Sequence, residues 1–326
     1  MPSPSSILVV GSSNTDMVIK LDRLPKPGET ILGGRFSSVP GGKGANQAIA
    51  ASRAGGRVTF VGRVGRDRFG DGALAGFRAD GVNVNYVMRD PSSPSGVALI
   101  FVGPDGENSI AVASGANGRL TPADLRQAQK AFRQARIVLL QLETPLKTVA
   151  AAAKLAAAAG ARVILNPAPA QSLPAALLRR VWVLTPNGSE AELLTGIAVT
   201  GRAGAEKAAA ALLARGVQNV IVTLGAGGAF VAGRDDRRLV PGYKVRALDS
   251  TGAGDVFNGA LAVALAEGQS LMEAARFANA AAAISVTRMG AQAAAPARRE
   301  IQRLLATGRL DSAIRPQARR VQTSSL

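Results

Sequence analysis

The side chain best placed to move a proton in this chain is an aspartate set among glycines. It ends Asp249-Ser250-Thr251-Gly252-Ala253-Gly254-Asp255, just before an apolar run that starts at Val256. Gly252, Ala253 and Gly254 can turn their N–H groups inward as a nest at a helix start. Such a nest, with the helix dipole behind it, stabilises a phosphoryl group and its developing charge. Asp255 stands at the mouth of that nest. It can be a plain N-cap, since Asp is a preferred cap. It can equally take a proton from an attacking hydroxyl. The chain has no His and no Cys. That excludes a thiol nucleophile, a disulfide framework, a Cys/His zinc site and a Ser-His-Asp triad. A general base must then be Asp, Glu, Lys or Tyr, and a metal must be a hard cation held by oxygen.

Three other stretches could act with it. Gly41-Gly42-Lys43-Gly44-Ala45-Asn46-Gln47 precedes a helix. Its glycines allow close backbone approach, and Lys43 and Asn46 supply donors for hydroxyl or carbonyl oxygens. It is not a P-loop, because Gly44 follows the lysine where Ser or Thr is needed. Thr223-Leu224-Gly225-Ala226-Gly227-Gly228 follows a buried strand, which suits a nucleotide phosphate or ribose, or a tight turn. Thr185-Pro186-Asn187-Gly188-Ser189-Glu190 also follows a strand. Asn187 and Glu190 lie three apart, so both can reach one polyphosphate or hydrated Mg²⁺, or they can simply start a helix.

The elements that would position these residues are legible in the hydrophobic pattern. Strands are predicted at Ile7–Val10, Val58–Val61, Ile137–Leu140, Arg162–Leu165, Val181–Leu184, Val220–Leu224 and Ala229–Ala232. Each is short and nearly all apolar, as a strand buried on both faces should be. Helices are predicted between them at Asn46–Arg53, Gly72–Asp80, Pro122–Gln134, Pro145–Ala159, Glu190–Thr195 and Ala205–Arg215, and then at Val256–Glu267, Leu271–Arg288 and Ala297–Ala306. This alternation predicts an α/β fold: a Rossmann-like, mostly parallel sheet with helices on both faces. Two polar, turn-rich stretches, 16–36 and 95–110, read as alternating strands of a small antiparallel sheet inserted as a lid. The main domain is expected over 1–310, followed by a basic, flexible tail over 311–326. In a parallel sheet the four motifs share one edge, where ligands bind. Two anion-friendly nests, a carboxylate and a carboxylate–amide pair at one place fit phosphoryl transfer, which needs positioning and charge stabilisation more than covalent chemistry.

Composition narrows the partners. Of 326 residues, 47% are hydrophobic, enough for a real core. The excess of Lys and Arg gives a formal charge of +17, which favours anionic partners or a solvated basic surface. Aromatics are only 4%, too few for a base-stacking platform, so nucleic acid is not expected as a partner. Residues 1–6 show no basic stretch leading into an apolar one, and the Ala-rich Val149–Leu165 is interrupted by Lys154, Gly160 and Arg162. A cytoplasmic protein without membrane attachment is the expectation.

Taken together, Gly41–Gln47 and Asp249–Asp255 resemble the signatures of the ribokinase (PfkB-type) family of carbohydrate kinases. Gly11–Asp16, Ser114–Asn117, Gln141–Glu143, Asn166–Pro169 and Thr287–Gln292 match as well, so the likeness covers nearly the whole chain. The resemblance implies an ATP-dependent kinase acting on the primary hydroxyl of a sugar, D-ribose first, to give D-ribose 5-phosphate. Fructose, 2-keto-3-deoxygluconate or a nucleoside are alternative acceptors, and a non-catalytic sugar sensor is the alternative outside enzymology. It implies Asp255 as base and Gly252, Ala253 and Gly254 as anion hole. Asn14, Thr15, Asp16, Gly42, Lys43, Gly44, Ala45, Asn46, Glu143 and Asp255 would hold the sugar. Asn187, Thr223, Leu224, Gly225, Ala226, Gly227, Gly228, Gly254 and Asn279 would hold ATP, with Glu190 organising Mg²⁺ indirectly. Asp249, Thr251, Ser285, Arg288, Gly290 and Ala294 match the positions around a potassium ion, with Ala294 standing where Ser is frequent. A homodimer through the lid is also implied.

Overall fold

The computed structural model describes residues 6–233 and 236–310; the tail expected at 311–326 lies outside the described residues. The strands are β1 (Ser6–Val10), β2 (Asn14–Lys20), β3 (Arg35–Gly41), β4 (Arg57–Gly65), β5 (Asn83–Asp90), β6 (Gly96–Val102), β7 (Asn108–Ala113), β8 (Ile137–Leu140), β9 (Arg162–Leu165), β10 (Val183–Leu184), β11 (Asn219–Thr223), β12 (Ala229–Ala232) and β13 (Arg237–Val240). The helices are α1 (Lys43–Arg53), α2 (Arg68–Ala79), α3 (Pro122–Gln127), α4 (Gln129–Gln134), α5 (Leu146–Ala158), α6 (Ala175–Leu178), α7 (Gly188–Thr195), α8 (Gly201–Ala214), α9 (Ala253–Ala266), α10 (Leu271–Ser285) and α11 (Arg298–Thr307).

Alternate residues of each central strand enter different cores. Ile7, Val9, Ile137, Leu139, Ile164 and Ile221 pack with α1, α9 and α10. Leu8, Val10, Val138, Leu140, Leu165, Val220 and Val222 pack with α3, α4, α5 and α8 on the other face. The unbroken apolar runs follow from this, because neither face of these strands meets water. The sheet order is β13-β12-β11-β10-β9-β8-β1-β4-β5. Pairing is parallel from β5 to β11. The last two strands, β12 and β13, are antiparallel. Only residues 224–228 join β11 to β12, too few for the crossover a parallel strand needs. Chain order reverses between β1 and β8, the switch point at which such sheets bind ligands.

The second sheet runs β3-β2-β6-β7. Its outer pairs are antiparallel, but β2 and β6 are parallel, so the sheet is mixed rather than antiparallel. Each insertion leaves the carboxyl end of a parallel strand, β1 or β5, so the two outgoing strands run in the same sense. The helix predicted over Pro122–Gln134 is two, interrupted at Ala128, and the one predicted to reach Arg288 ends at Ser285. No described helix is long and apolar enough to cross a membrane.

Candidate active site

Asp255 lies in the first turn of α9, buried against α1. Its Oδ2 accepts from Asn46 Nδ2 and its Oδ1 from Gln47 Nε2, both at 2.9 Å. The glycine-rich turn bearing Lys43 and the glycine-rich turn bearing Asp255 therefore meet, although they are far apart in sequence. Burial pushes the Asp255 carboxyl above its ordinary value, against the pull of Lys43 and the two amide donations. Each carboxylate oxygen keeps a further acceptor site for a hydroxyl.

Gly252 caps α9 with φ 71°, the left-handed region open to glycine, and a Cβ there would stand 2.6 Å from the Ala291 Cβ. No side chain caps this helix. The Ala253 N–H donates to Ser250 O at 3.2 Å, and the Val256 N–H to Gly252 O at 2.9 Å. The first-turn amides of Gly254 and Asp255 have no intrahelical acceptor and are the ones offered to an anion. A Cβ at Gly254 would meet nothing, so the approach to them is open.

The sugar-binding candidates gather on the other side of Asp255. Lys43 N and Ser12 Oγ donate to Glu143 Oε2 at 2.9 and 2.6 Å. Gly44 packs on the backbone after β1, where a Cβ would fall 2.6 Å from Ser12 N. That glycine is explained by this close approach rather than by a ligand. Asn14 accepts from Asn117 Nδ2 at 2.7 Å, which leaves its own amide to donate. Burial disfavours the Lys43 ammonium, but Asp255, Glu143, Glu190 and Asp16 together outweigh it and hold its pKa above the ordinary value. Asp16 is pushed up to about 6 by burial, then by Glu143 and Asp255, with Lys43 opposing. The register puts Asp16 beside Ala98, and Ala98 beside Val112, on one face of the small sheet. Thr15, its neighbour in β2, therefore points to the opposite face. A cavity of about 380 Å³ opens from Asn14 and Glu143 towards Asn117, Thr144 and Gln171.

The nucleotide candidates lie at the carboxyl ends of β10 and β11. Asn187 accepts from Glu190 N at 2.8 Å and Glu190 Oε2 from Asn187 N at 2.9 Å, a capping box at the start of α7. The helix-start reading of this pair thus holds. Glu190 still acts on the site: burial and Asp255 push its carboxyl up, while the Asn187 N–H and Lys43 pull it down. Thr223 bridges to Asn187, and Gly225–Gly227 form one exposed 3-10 turn ahead of the buried Gly228. Asn279 donates to the carbonyls of Val240 and Pro241 at 3.1 and 3.2 Å, leaving its Oδ1 as an acceptor.

The six cation candidates come from two loops that bind each other. Asp249 Oδ1 accepts from Thr251 N at 2.9 Å and Oδ2 from Gly290 N at 2.7 Å. Burial opposes ionisation of Asp249, but these donors and the Thr251 hydroxyl hold its carboxyl below the ordinary value. Arg288 is tied to Glu300, Ser285 donates to Ala282 O at 2.8 Å, and Ala294 is buried. Arg53 Nη1 grips the same loop through Gln292 O at 2.7 Å and Ala295 O at 3.2 Å. With these side chains already engaged, backbone carbonyls are the oxygens left for a monovalent cation. Among the described residues no three acidic groups could hold a resident metal ion.

Several polar residues that complete the site were not singled out as site residues from sequence: Ser12, Gln47, Asn117, Gln141, Asn166 and Gln292. Gln292 Nε2 donates to Asn46 Oδ1 at 3.2 Å, which turns the Asn46 amide towards Asp255. The signal for Gln47 and Gln292 was their place inside or beside the motifs. Nothing in sequence pairs residues this far apart.

Residues 4–298 match the family described as pfkB family carbohydrate kinase. The chain is 44% identical over 295 residues to ribokinase of Haemophilus influenzae, covering 90% of this chain and 96% of that one. It is 41% identical over 300 residues to ribokinase of Bacillus subtilis, covering 92% and 99%. The solved structure of Arabidopsis thaliana ribokinase complexed with ribose and ATP superposes with a TM-score of 0.88 at 35% identity, over 93% of this chain and 99% of that one. The family match over residues 4–298, a superposition over nearly the whole of both chains, and high identity across nearly the full length agree: the chain belongs to the pfkB family of carbohydrate kinases.

Proposed function

We propose that the chain is a ribokinase, moving the γ-phosphoryl group of ATP to the primary hydroxyl of D-ribose and releasing D-ribose 5-phosphate and ADP. The observation that carries this is the seat of Asp255 between the Lys43 turn and the open amides of α9. The names of the relatives support ribose and ATP as substrates.

Asp255 takes the proton of the sugar's primary hydroxyl. The freed oxygen lone pair forms a bond to the γ-phosphorus, and the bond from that phosphorus to the bridging oxygen of ADP breaks. The Gly254 and Asp255 amides, with Gly252 and Ala253 shaping the turn, and the α9 dipole meet the charge that spreads over the transferring group. Lys43 balances the carboxylates of Asp16, Glu143 and Asp255 at the sugar and of Glu190 on the nucleotide side. Asn14 and Asn46 donate to sugar hydroxyls, and Asp16 and Glu143 accept from them. The nucleotide lies along Asn187, Thr223–Gly228 and Asn279.

With no acidic cluster among the described residues to hold it, Mg²⁺ would enter on the triphosphate, and Glu190 would contact it through water; the ion would supply charge neutralisation on the phosphates. The paired loops 249–251 and 285–294 fit K⁺ held mainly by carbonyls. The small sheet acts as a lid over the sugar. On the face away from Asp16 it exposes Phe36 and Leu99, an apolar surface that a second copy would cover as a homodimer. A cytoplasmic location fits the substrates.

The test is ADP release with and without ribose, in sodium and in potassium. Ribose-dependent release stimulated by potassium is expected. Release driven by fructose or a nucleoside instead, with ribose inert, would overturn the acceptor. No release with any sugar would overturn the activity.

A further inference from the structure

Gln47 is fully buried, so it reaches no substrate, yet it donates to the oxygen of Asp255 that Asn46 does not hold. Its amide is oriented from both ends. Gln47 Oε1 accepts from Gln141 Nε2 at 2.6 Å. Gln47 Nε2 also donates to Asn166 Oδ1 at 3.0 Å, and Asn166 is turned that way because its Nδ2 donates to Thr185 O at 3.2 Å. Reversing the Gln47 amide would set its carbonyl against both Asp255 and Asn166, and its NH₂ against that of Gln141.

This arrangement has a local cost. Gln141 Oε1 is buried with no hydrogen-bond partner. It occupies the space over Gly11, where a Cβ would fall 2.1 Å away. Buried orphan acceptors are rare, and one retained beside a reacting group calls for a function. Three side chains and one backbone carbonyl, from three strand ends and one helix, are held so that a single N–H points at Asp255.

We propose that Gln47 is a positioning residue for phosphoryl transfer, locked by Gln141 and Asn166 so that it donates to Asp255, fixing the carboxylate's orientation and favouring its ionised form. This rests on the reading of Asp255 as the base. The charged groups facing Asp255 are Lys43 on α1, Glu143 after β8, Asp16 on β2 and Glu190 on α7. Only Lys43 among them favours the anion, so the neutral donors matter for keeping a buried carboxyl ionised.

The experiment compares wild type, Gln47→Glu and Gln47→Met in kcat and KM for ribose across pH 5–9, with thermal melting of each. Gln47→Glu keeps the shape but puts an acceptor where the donor stood. Expected are a loss of kcat of about tenfold or more at pH 7 and a ribose KM within about threefold of wild type. The acid limb of kcat should move up by about one pH unit. Gln47→Met should move the limb in the same direction by less. Variants that melt lower but keep the wild-type pH profile and kcat would overturn the proposal, since Gln47 would then only fill space. Asp255→Asn is run alongside: retained turnover there would overturn the base assignment itself, a result separable from an unshifted limb in the Gln47 variants.

Discussion

Gly259 of α9 lies directly against Gln47 of α1: a Cβ at 259 would stand 2.7 Å from the Gln47 carbonyl oxygen and 2.8 Å from Ala51 N. Gly259 is one helical turn after Asp255, and Gln47 is one of the two residues that hold Asp255. The missing side chain sets the distance between the helices, and that distance allows the amides of α1 to reach the carboxylate.

Gly259→Ala separates two opposing effects. Alanine in a helix interior returns up to about 1 kcal/mol of propensity. Overpacking a full core costs about 1–3 kcal/mol, and the obstacles here are backbone atoms that cannot rotate away. The cost wins, so denaturant unfolding should show a net loss of about 1–2 kcal/mol. Turnover should fall by more than this loss accounts for, because the Asn46 and Gln47 donations lengthen. A stable variant with wild-type turnover would show that helix spacing does not set the geometry of Asp255.

Asp255→Asn should reduce kcat by about two to four orders of magnitude, the range for a lost general base. The ribose affinity, measured by calorimetry, should change little. The new amide can accept from Asn46 or Gln47 but must face the other donor with its own NH₂. A stability loss of about 1–3 kcal/mol is therefore expected from one unsatisfied donor pair. Near-normal turnover would remove Asp255 from the reaction.

The strands were legible where both faces are buried, because Ile137–Leu140, Arg162–Leu165 and Ala229–Ala232 are apolar runs of strand length. The edges were not. β5 carries Asn83 and Asn85, and β13 begins Arg237-Arg238. An edge strand has less to bury, so polar residues are tolerated and the pattern fades. The antiparallel turn into β12 was readable in principle from its short loop. In the site, the motifs located the backbone nests and Asp255. They did not show that Gly44 and Gly259 serve close packing. They could not reveal that Gln141 and Asn166 lock Gln47. Those relationships depend on tertiary proximity, which spacing along the chain does not encode.

Asp16 makes sugar binding and stability respond to pH in opposite senses. Its carboxyl is raised to about 6, above its unfolded value, mainly by burial. The folded state therefore holds this proton more tightly. The Asp16 contribution to stability is fully present below about pH 4 and is lost as pH rises through about 6. Sugar hydroxyls donate to the ionised form, so KM for ribose should rise as pH falls below about 6. Asp16→Asn should flatten that KM profile and bind ribose more weakly. At pH 8 it should gain about 1–3 kcal/mol of stability, since an amide pays no ionisation cost. A KM independent of pH between 5 and 8 in wild type would dismiss Asp16 as an acceptor for the sugar.

Ala294→Ser tests the cation loop through stability as well as rate. Ala294 is buried, so a hydroxyl placed there without a partner costs about 1–3 kcal/mol. A potassium ion among the carbonyls of the 249–251 and 285–294 loops would accept that oxygen as a ligand and offset the cost. The variant should thus melt lower than wild type in sodium and gain more from potassium. Ligand stabilisation grows with concentration over the dissociation constant, so the potassium-induced melting shift reports affinity directly. The potassium concentration for half-maximal activation should fall about threefold or more, because a tenfold change is only about 1.4 kcal/mol. Equal shifts in sodium and potassium for both proteins would place the activating ion, if there is one, away from these loops.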